Sequence, residues 1–246
     1  MSKWFYIKLA ALFGALSGLT YFSHYLIFHD VHHILIYLIG DLGFMFLEVL
    51  LITLVFHDLL SRREKRQMLE KLNMVIGAFF SEVGTELLKF FSDMDPQEDR
   101  ISKELIITKD WTDEGFTTTI ARIEGTKFEI DPLRGDLPGL QKFMKQKREF
   151  LLRLLENPNL LEHETFTNVL WAVFHLGEEL SARKNIEDLG RADIGHITGD
   201  ISRAYGRLIQ EWLEYMLHLK TNYPYLFSLA IRTNPFDPTA HPEITE

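Results

Sequence analysis

The sequence predicts an all-α membrane protein, a two-helix transmembrane hairpin followed by a cytosolic helical bundle. Three observations carry this expectation. Two apolar runs of membrane length fill the first quarter of the chain, basic residues follow the second run directly, and beyond residue 60 apolar positions recur every three to four residues. A mean hydropathy near zero averages these two unlike parts.

The first run, residues 4–28, carries one charge, Lys8, near its start, and at about 1.5 Å per residue it reaches across roughly 30 Å of hydrocarbon with some tilt. Trp4 and Tyr6 at one end, and Tyr21 and Tyr25 at the other, fall where interfacial aromatic belts form. No small-x-small cleavage site follows and a second apolar run does, so the run reads as a membrane helix, not a cleaved leader. The second helix is placed at 34–60. Between the two lie His29, Asp30, Val31, His32 and His33, without Lys or Arg, whereas Arg62, Arg63, Lys65 and Arg66 follow the second helix at the membrane surface. The positive-inside rule then puts both chain ends in the cytoplasm, in a multi-pass protein of an inner or plasma membrane.

Asp41 and Glu48 interrupt the second apolar run seven positions apart, close to two turns, and so share one helix face. An ionised carboxylate at that depth costs at least about 2.5 kcal/mol, so each must meet protein or water, or stay protonated. Two readings follow: an ion or proton path, which requires several copies of the hairpin, or hydrogen-bonded contacts between helices. Ala10, Gly14 and Gly18, four residues apart, form a stripe that a second backbone can approach closely, which points to a homo-oligomer. His24, His29, Asp30, His32 and His33 crowd the outer end in an order that matches no defined metal motif and read as loop residues.

Residues 61–95 are expected to form a juxtamembrane amphipathic helix, with Leu69, Leu72, Ile76, Phe79, Val83, Leu87 and Phe90 on one face. Gly77, Ser81 and Gly84 make a small-residue stripe on another face, suited to a closely packed second helix. The segment 93–99, with Pro96, breaks the pattern and opens a cytosolic helical domain over 96–233. Within it, 100–138 is the least regular part. Alternation in "ISKELIITKD" and "TKFEIDP" permits short strands, whereas "WTDEGFTTTIARIEG" reads as a helix capped by Thr112 and closed at Gly125, and mostly helix is expected. Further helices are placed at 140–156, 165–184, 192–219 and 225–231, before a tail at 234–246 containing Pro235, Pro238 and Pro242.

Chemistry is bounded mainly by exclusion. A net charge of −9 argues against nucleic acid as a partner, and the absence of cysteine removes disulfides, thiolate metal sites and cysteine nucleophiles. The sequence has no glycine-rich phosphate loop, nucleophile elbow or dinucleotide fingerprint. His175 and Glu178 lie one turn apart, His196 and Asp200 lie four apart, and Glu211, Glu214 and His218 share a face. The candidate metal ligands are His175, Glu178, Glu211, Glu214 and His218, although their spacing departs from the Glu-x-x-His pattern of dimetal bundles, and no cofactor is strongly implied. Lys142, Lys145, Lys147 and Arg148 form a second basic patch, either a membrane-docking face or a solvated one. Trp171, Phe174, Trp212, Tyr215 and Met216 are expected in the core.

The leading functional expectation is a non-enzymatic, membrane-tethered cytosolic domain acting as an oligomeric scaffold or signal relay, with lipid, further copies of itself and a cytosolic protein as partners. The alternative is an oligomeric ion or proton channel built on Asp41 and Glu48. A helical-bundle metalloenzyme ranks third.

Overall fold

The computed structural model describes residues 3–158, 160 and 163–243, except for the side chains of Lys3, Arg62, Glu64, Lys65, Arg66, Gln67 and Leu69. Among the described residues the protein is all-helical, with no strand. It divides into two compact units, Met1–Lys65 and Arg66–Glu246.

In the first unit, α1 (Lys3–Phe28) leads through a tight turn into α2 (Val31–Phe79), which contributes to both units. The turn is built by two residues. His29 takes the left-handed conformation at φ 50°, which stops α1, and Asp30 caps α2 by accepting the His33 N–H at 3.1 Å. The His24 and His33 rings stack across it, 5.9 Å apart. The segments Trp4–Phe28 and Val31–Ser61 are each long and apolar enough to cross a membrane, and the most apolar stretch of each is 0% buried. That separates them from core helices of a soluble protein, which pass the same length and composition test but are covered.

The second unit begins with the last turns of α2, passes through a π-helical turn at Phe80–Gly84 and continues as α3 (Thr85–Asp93). Leu72, Ile76, Phe79, Phe80, Val83, Leu87, Leu88 and Phe91 all turn inward. Gly77 lies against Tyr215, whose hydroxyl would stand 2.8 Å from an added Cβ. At Gly84 the atoms nearest an added Cβ belong to rings of its own segment, Phe80 Cδ1 at 2.5 Å and Phe79 Cε1 at 2.9 Å. Gly84→Ala should therefore destabilise this unit by about 1–3 kcal/mol in a denaturant titration, since two packed rings must move.

Four further helices precede a long central one. They are α4 (Glu98–Leu105), α5 (Asp113–Glu124), α6 (Leu137–Leu155) and α7 (Glu164–Ala182), and the central helix is α8 (Arg191–Asn222), followed by the short α9 (Pro224–Arg232). Helices α3, α5, α7 and α9 all pack on α8, and α6 packs on α7. Local sequence explains several boundaries. Thr112 caps α5 by accepting the Gly115 N–H at 3.1 Å, and Asp136 caps α6 by accepting the Gly139 N–H at 2.8 Å with Pro138 in the first turn. Gln141 of α6 donates from Nε2 to the Leu180 and Arg183 carbonyls at 2.6 and 2.9 Å, satisfying the end of α7.

One sequence expectation needs correction, and two points that the sequence left open are decided. The strands permitted within 100–138 do not form: the first alternating stretch contributes to α4, and the second forms no regular element, although its Phe128 and Ile130 are buried, with the Phe128 ring edge-on to Tyr205 at 4.9 Å. Trp171 is 56% exposed, because it lies out of phase with Phe166, Val169, Leu170, Val173, Leu176 and Leu180, the buried stripe of α7. The tail packs at its start, where buried Asn234 donates from Nδ2 to the Leu105 carbonyl at 2.8 Å and Phe236 meets Trp212 edge-on at 5.2 Å. Residues 244–246 of that tail lie outside the described residues.

Candidate functional site

Helix α7 carries a histidine and a carboxylate one turn apart, His175 and Glu179, and α8 carries the pair His196 and Asp200 at the same spacing. Residues three to four apart share a helix face, so each pair presents both groups together. Helix α7 runs into α8 through the connection at 183–190, and the two are antiparallel: His175 lies opposite Asp200, and Glu179 lies opposite His196. The Nε2 atoms of His175 and His196 stand 3.5 and 3.4 Å from Asp200 Oδ2. Glu179 completes the group, with Oε1 3.9 Å from His175 Nε2 and Oε2 3.5 Å from His196 Nε2.

Two arginines hold the carboxylates in place. Asp200, only 3% exposed, accepts from Arg203 Nη1 at 2.9 Å through Oδ1, whereas Oδ2 is buried and accepts no hydrogen bond among the described residues. Glu179 accepts from Arg183 Nη1 at 2.8 Å, and this bond holds its carboxyl below the usual range. Arg183 also donates to the Glu179 carbonyl at 2.6 Å and to Asp193 at 2.9 Å, and its bond to Glu179 raises its own pKa. The imidazoles are half exposed, so the group opens to solvent on one side and rests on a buried acid on the other.

The sequence-based ligand set does not assemble. Among the described residues, His175, His196 and Asp200 are the one set of three or more metal-competent side chains whose ligand atoms all lie within 4.8 Å of one another. Glu178 points away from it and accepts from Arg148 at 2.7 Å. Glu211 is buried on α8, with its pKa pushed up to about 8, first by burial and then by the nearby charge of Glu214. Glu214 accepts from Gln210 at 3.4 Å. His218 sits at 3.2 Å from Asn73 Nδ2 and 3.1 Å from Asn222 Nδ2, and burial lowers its pKa. The signal for the true grouping is the repeated histidine-x-x-x-carboxylate spacing on either side of a helix connection. Spacing alone marks His196 and Asp200 as a pair, but it neither joins them to His175 nor singles out Glu179.

In the first unit Asp41 and Glu48 are exposed, and nothing among the described residues comes within 4 Å of a Cβ built at Gly14 or Gly18. Ala10 and Arg63 are exposed as well, while the side chains of Arg62, Lys65 and Arg66 lie outside the described residues. Of the second basic patch, Lys147 pairs with Glu82 at 2.8 Å and Arg148 with Glu178.

Comparison with known proteins follows the same division into two parts. Residues 1–60 match the family described as MJ1433, N-terminal helical domain, and residues 68–232 match Uncharacterized protein MJ1433, C-terminal helical domain. Uncharacterized protein MJ1433 of Methanocaldococcus jannaschii is 46% identical over 222 residues, which cover 90% of this chain and 89% of that protein. No solved structure matches the chain. With both of its parts matched in order and nearly half of the aligned residues identical, the chain belongs to the MJ1433 family.

Proposed function

We propose that this protein is a membrane-tethered helical domain whose hairpin joins several copies, so that the second unit acts as a cytosolic scaffold or signal relay for a protein partner. The observation that supports this reading is the contrast in burial between the two units. From Trp4 to Leu60 large apolar side chains stand exposed along α1 and the first part of α2, whereas most of those of the second unit are buried in one core. Soluble monomers rarely expose contiguous apolar patches beyond a few hundred Å², so lipid or neighbouring hairpins must cover this surface.

Partition checks it. The full chain should sediment with membranes, resist alkaline extraction and enter solution only with detergent, while residues 66–246 should be soluble. Full-length protein that stays monodisperse without detergent would sink the tether. Because the chain lacks cysteine, orientation is directly readable from single substitutions. A thiol placed by His32→Cys should react with an impermeant reagent added outside intact cells, and one placed by Ser61→Cys should not.

The intramembrane acids separate the scaffold from a channel. If Asp41 and Glu48 hold helices together, Glu48→Gln should lower the subunit number found by native mass measurement in lipid. If instead they line a path, the same substitution should change proton or cation flux in liposomes and leave subunit number unaltered.

A further inference from the structure

We propose that His175, His196 and Asp200 bind one divalent transition-metal ion between α7 and α8, with Glu179 beside them. The first argument is spacing. Ligand atoms about 2.0–2.1 Å from a tetrahedral ion stand roughly 3.3–3.4 Å from one another. The two imidazole nitrogens lie 3.5 and 3.4 Å from Asp200 Oδ2, near that edge length and beyond the ordinary length of a charge-assisted hydrogen bond.

The second argument is the state of Asp200. A buried acceptor left without a partner costs about 1–3 kcal/mol, and more when charged. Asp200 Oδ2 is such an atom, and it faces the two Nε2 atoms while Oδ1 is occupied by Arg203. A cation bridging Oδ2 and both nitrogens removes that cost.

The third argument is the surrounding shell. Metal-binding carboxylates are commonly oriented by outer hydrogen bonds. Here Arg203 holds Asp200 by Oδ1, leaving Oδ2 toward both histidines, and Arg183 holds Glu179 by Oε2, leaving Oε1 3.9 Å from His175 Nε2. The half-exposed imidazoles provide the entry route.

Ligand chemistry selects the ion class. Two imidazoles with one or two carboxylates suit zinc, iron(II), cobalt(II) or manganese(II), while magnesium and calcium prefer an all-oxygen shell. The site lies entirely within the second unit and does not depend on the membrane reading.

The test uses the full chain, purified in detergent without an affinity tag, stripped with a chelator and titrated with zinc against a chromophoric competitor. The expected result is one ion per chain, at least about tenfold weaker binding in both Asp200→Asn and His196→Gln, and unchanged binding in His241→Gln. Cobalt(II) should give the strong visible absorption of a low-symmetry site, lost in the same two variants. His196 is exposed, so its variant should fold, and circular dichroism checks that. Failure to bind any of zinc, cobalt(II) or manganese(II) stoichiometrically would overturn the proposal. So would zinc binding equally tight in both variants, which would assign the ion to the loop histidines of the hairpin.

Discussion

Replacing Phe79 with alanine is expected to destabilise the second unit by about 3–5 kcal/mol, the range for truncating a buried phenylalanine. Phe79 is fully buried at the end of α2, and its ring meets Phe80 and Phe166 edge-on, each at 5.3 Å. The substitution removes apolar burial, leaves a cavity among large neighbours and breaks two aromatic contacts. With about 2–4 °C lost per kcal/mol in a domain of this size, the thermal midpoint should fall by roughly 10 °C. Trp171→Ala, on an exposed residue of similar bulk, should change stability by less than about 0.5 kcal/mol. A Phe79→Ala midpoint within a degree or two of wild type would contradict the packing described for the end of α2.

Raising the pH from 5 to 9 should weaken the second unit, and Glu211 should cause most of that loss. Burial and the charge of Glu214 move its pKa from the ordinary 4.5 to about 8 in the folded protein. Folding therefore favours the protonated acid. Its contribution to stability is fully present below the unfolded value and is lost as pH rises through about 8, by at most roughly 5 kcal/mol for a shift of this size. Asp95 and Glu98 are raised as well, chiefly by burial, and act in the same direction. Glu179 acts oppositely: the Arg183 hydrogen bond lowers its pKa, so its contribution is present above the ordinary range and lost as pH falls through the lowered value. Glu211→Gln keeps the shape, cannot ionise, and should flatten the thermal midpoint between pH 5 and 9. A wild-type midpoint that does not fall over this range, or a variant with the same slope, would refute the assignment.

Helix boundaries were the most legible part of the fold. Thr112, the Pro96 break and the tyrosine-proline step at Tyr223 act through neighbouring backbone, so residues within four positions determine them. Side-chain destinations were less legible. The periodicity of α7 marks a buried stripe, but a tryptophan beside that stripe reads as core until the rotation of the helix is known, and Trp171 proves exposed. The short alternating stretch before Pro132 reads equally as a strand or as extended chain, since pairing depends on a partner strand distant in sequence.

The candidate site divides in the same way. Spacing along one helix is a local property, so the pairs His175 with Glu179 and His196 with Asp200 are written in the sequence. Glu178 and Glu179 are indistinguishable there: one residue is a rotation of about 100° on a helix, and that rotation sends Glu178 to Arg148 and Glu179 to the histidines. What the sequence by itself determined is the helical class and most helix ends, because period and capping act over short range. What the tertiary structure decided is which faces meet. The antiparallel register of α7 against α8 brings His175 onto Asp200, buries Glu211 and leaves Trp171 in solvent, because register arises from packing over the whole length of both helices and no local stretch encodes it.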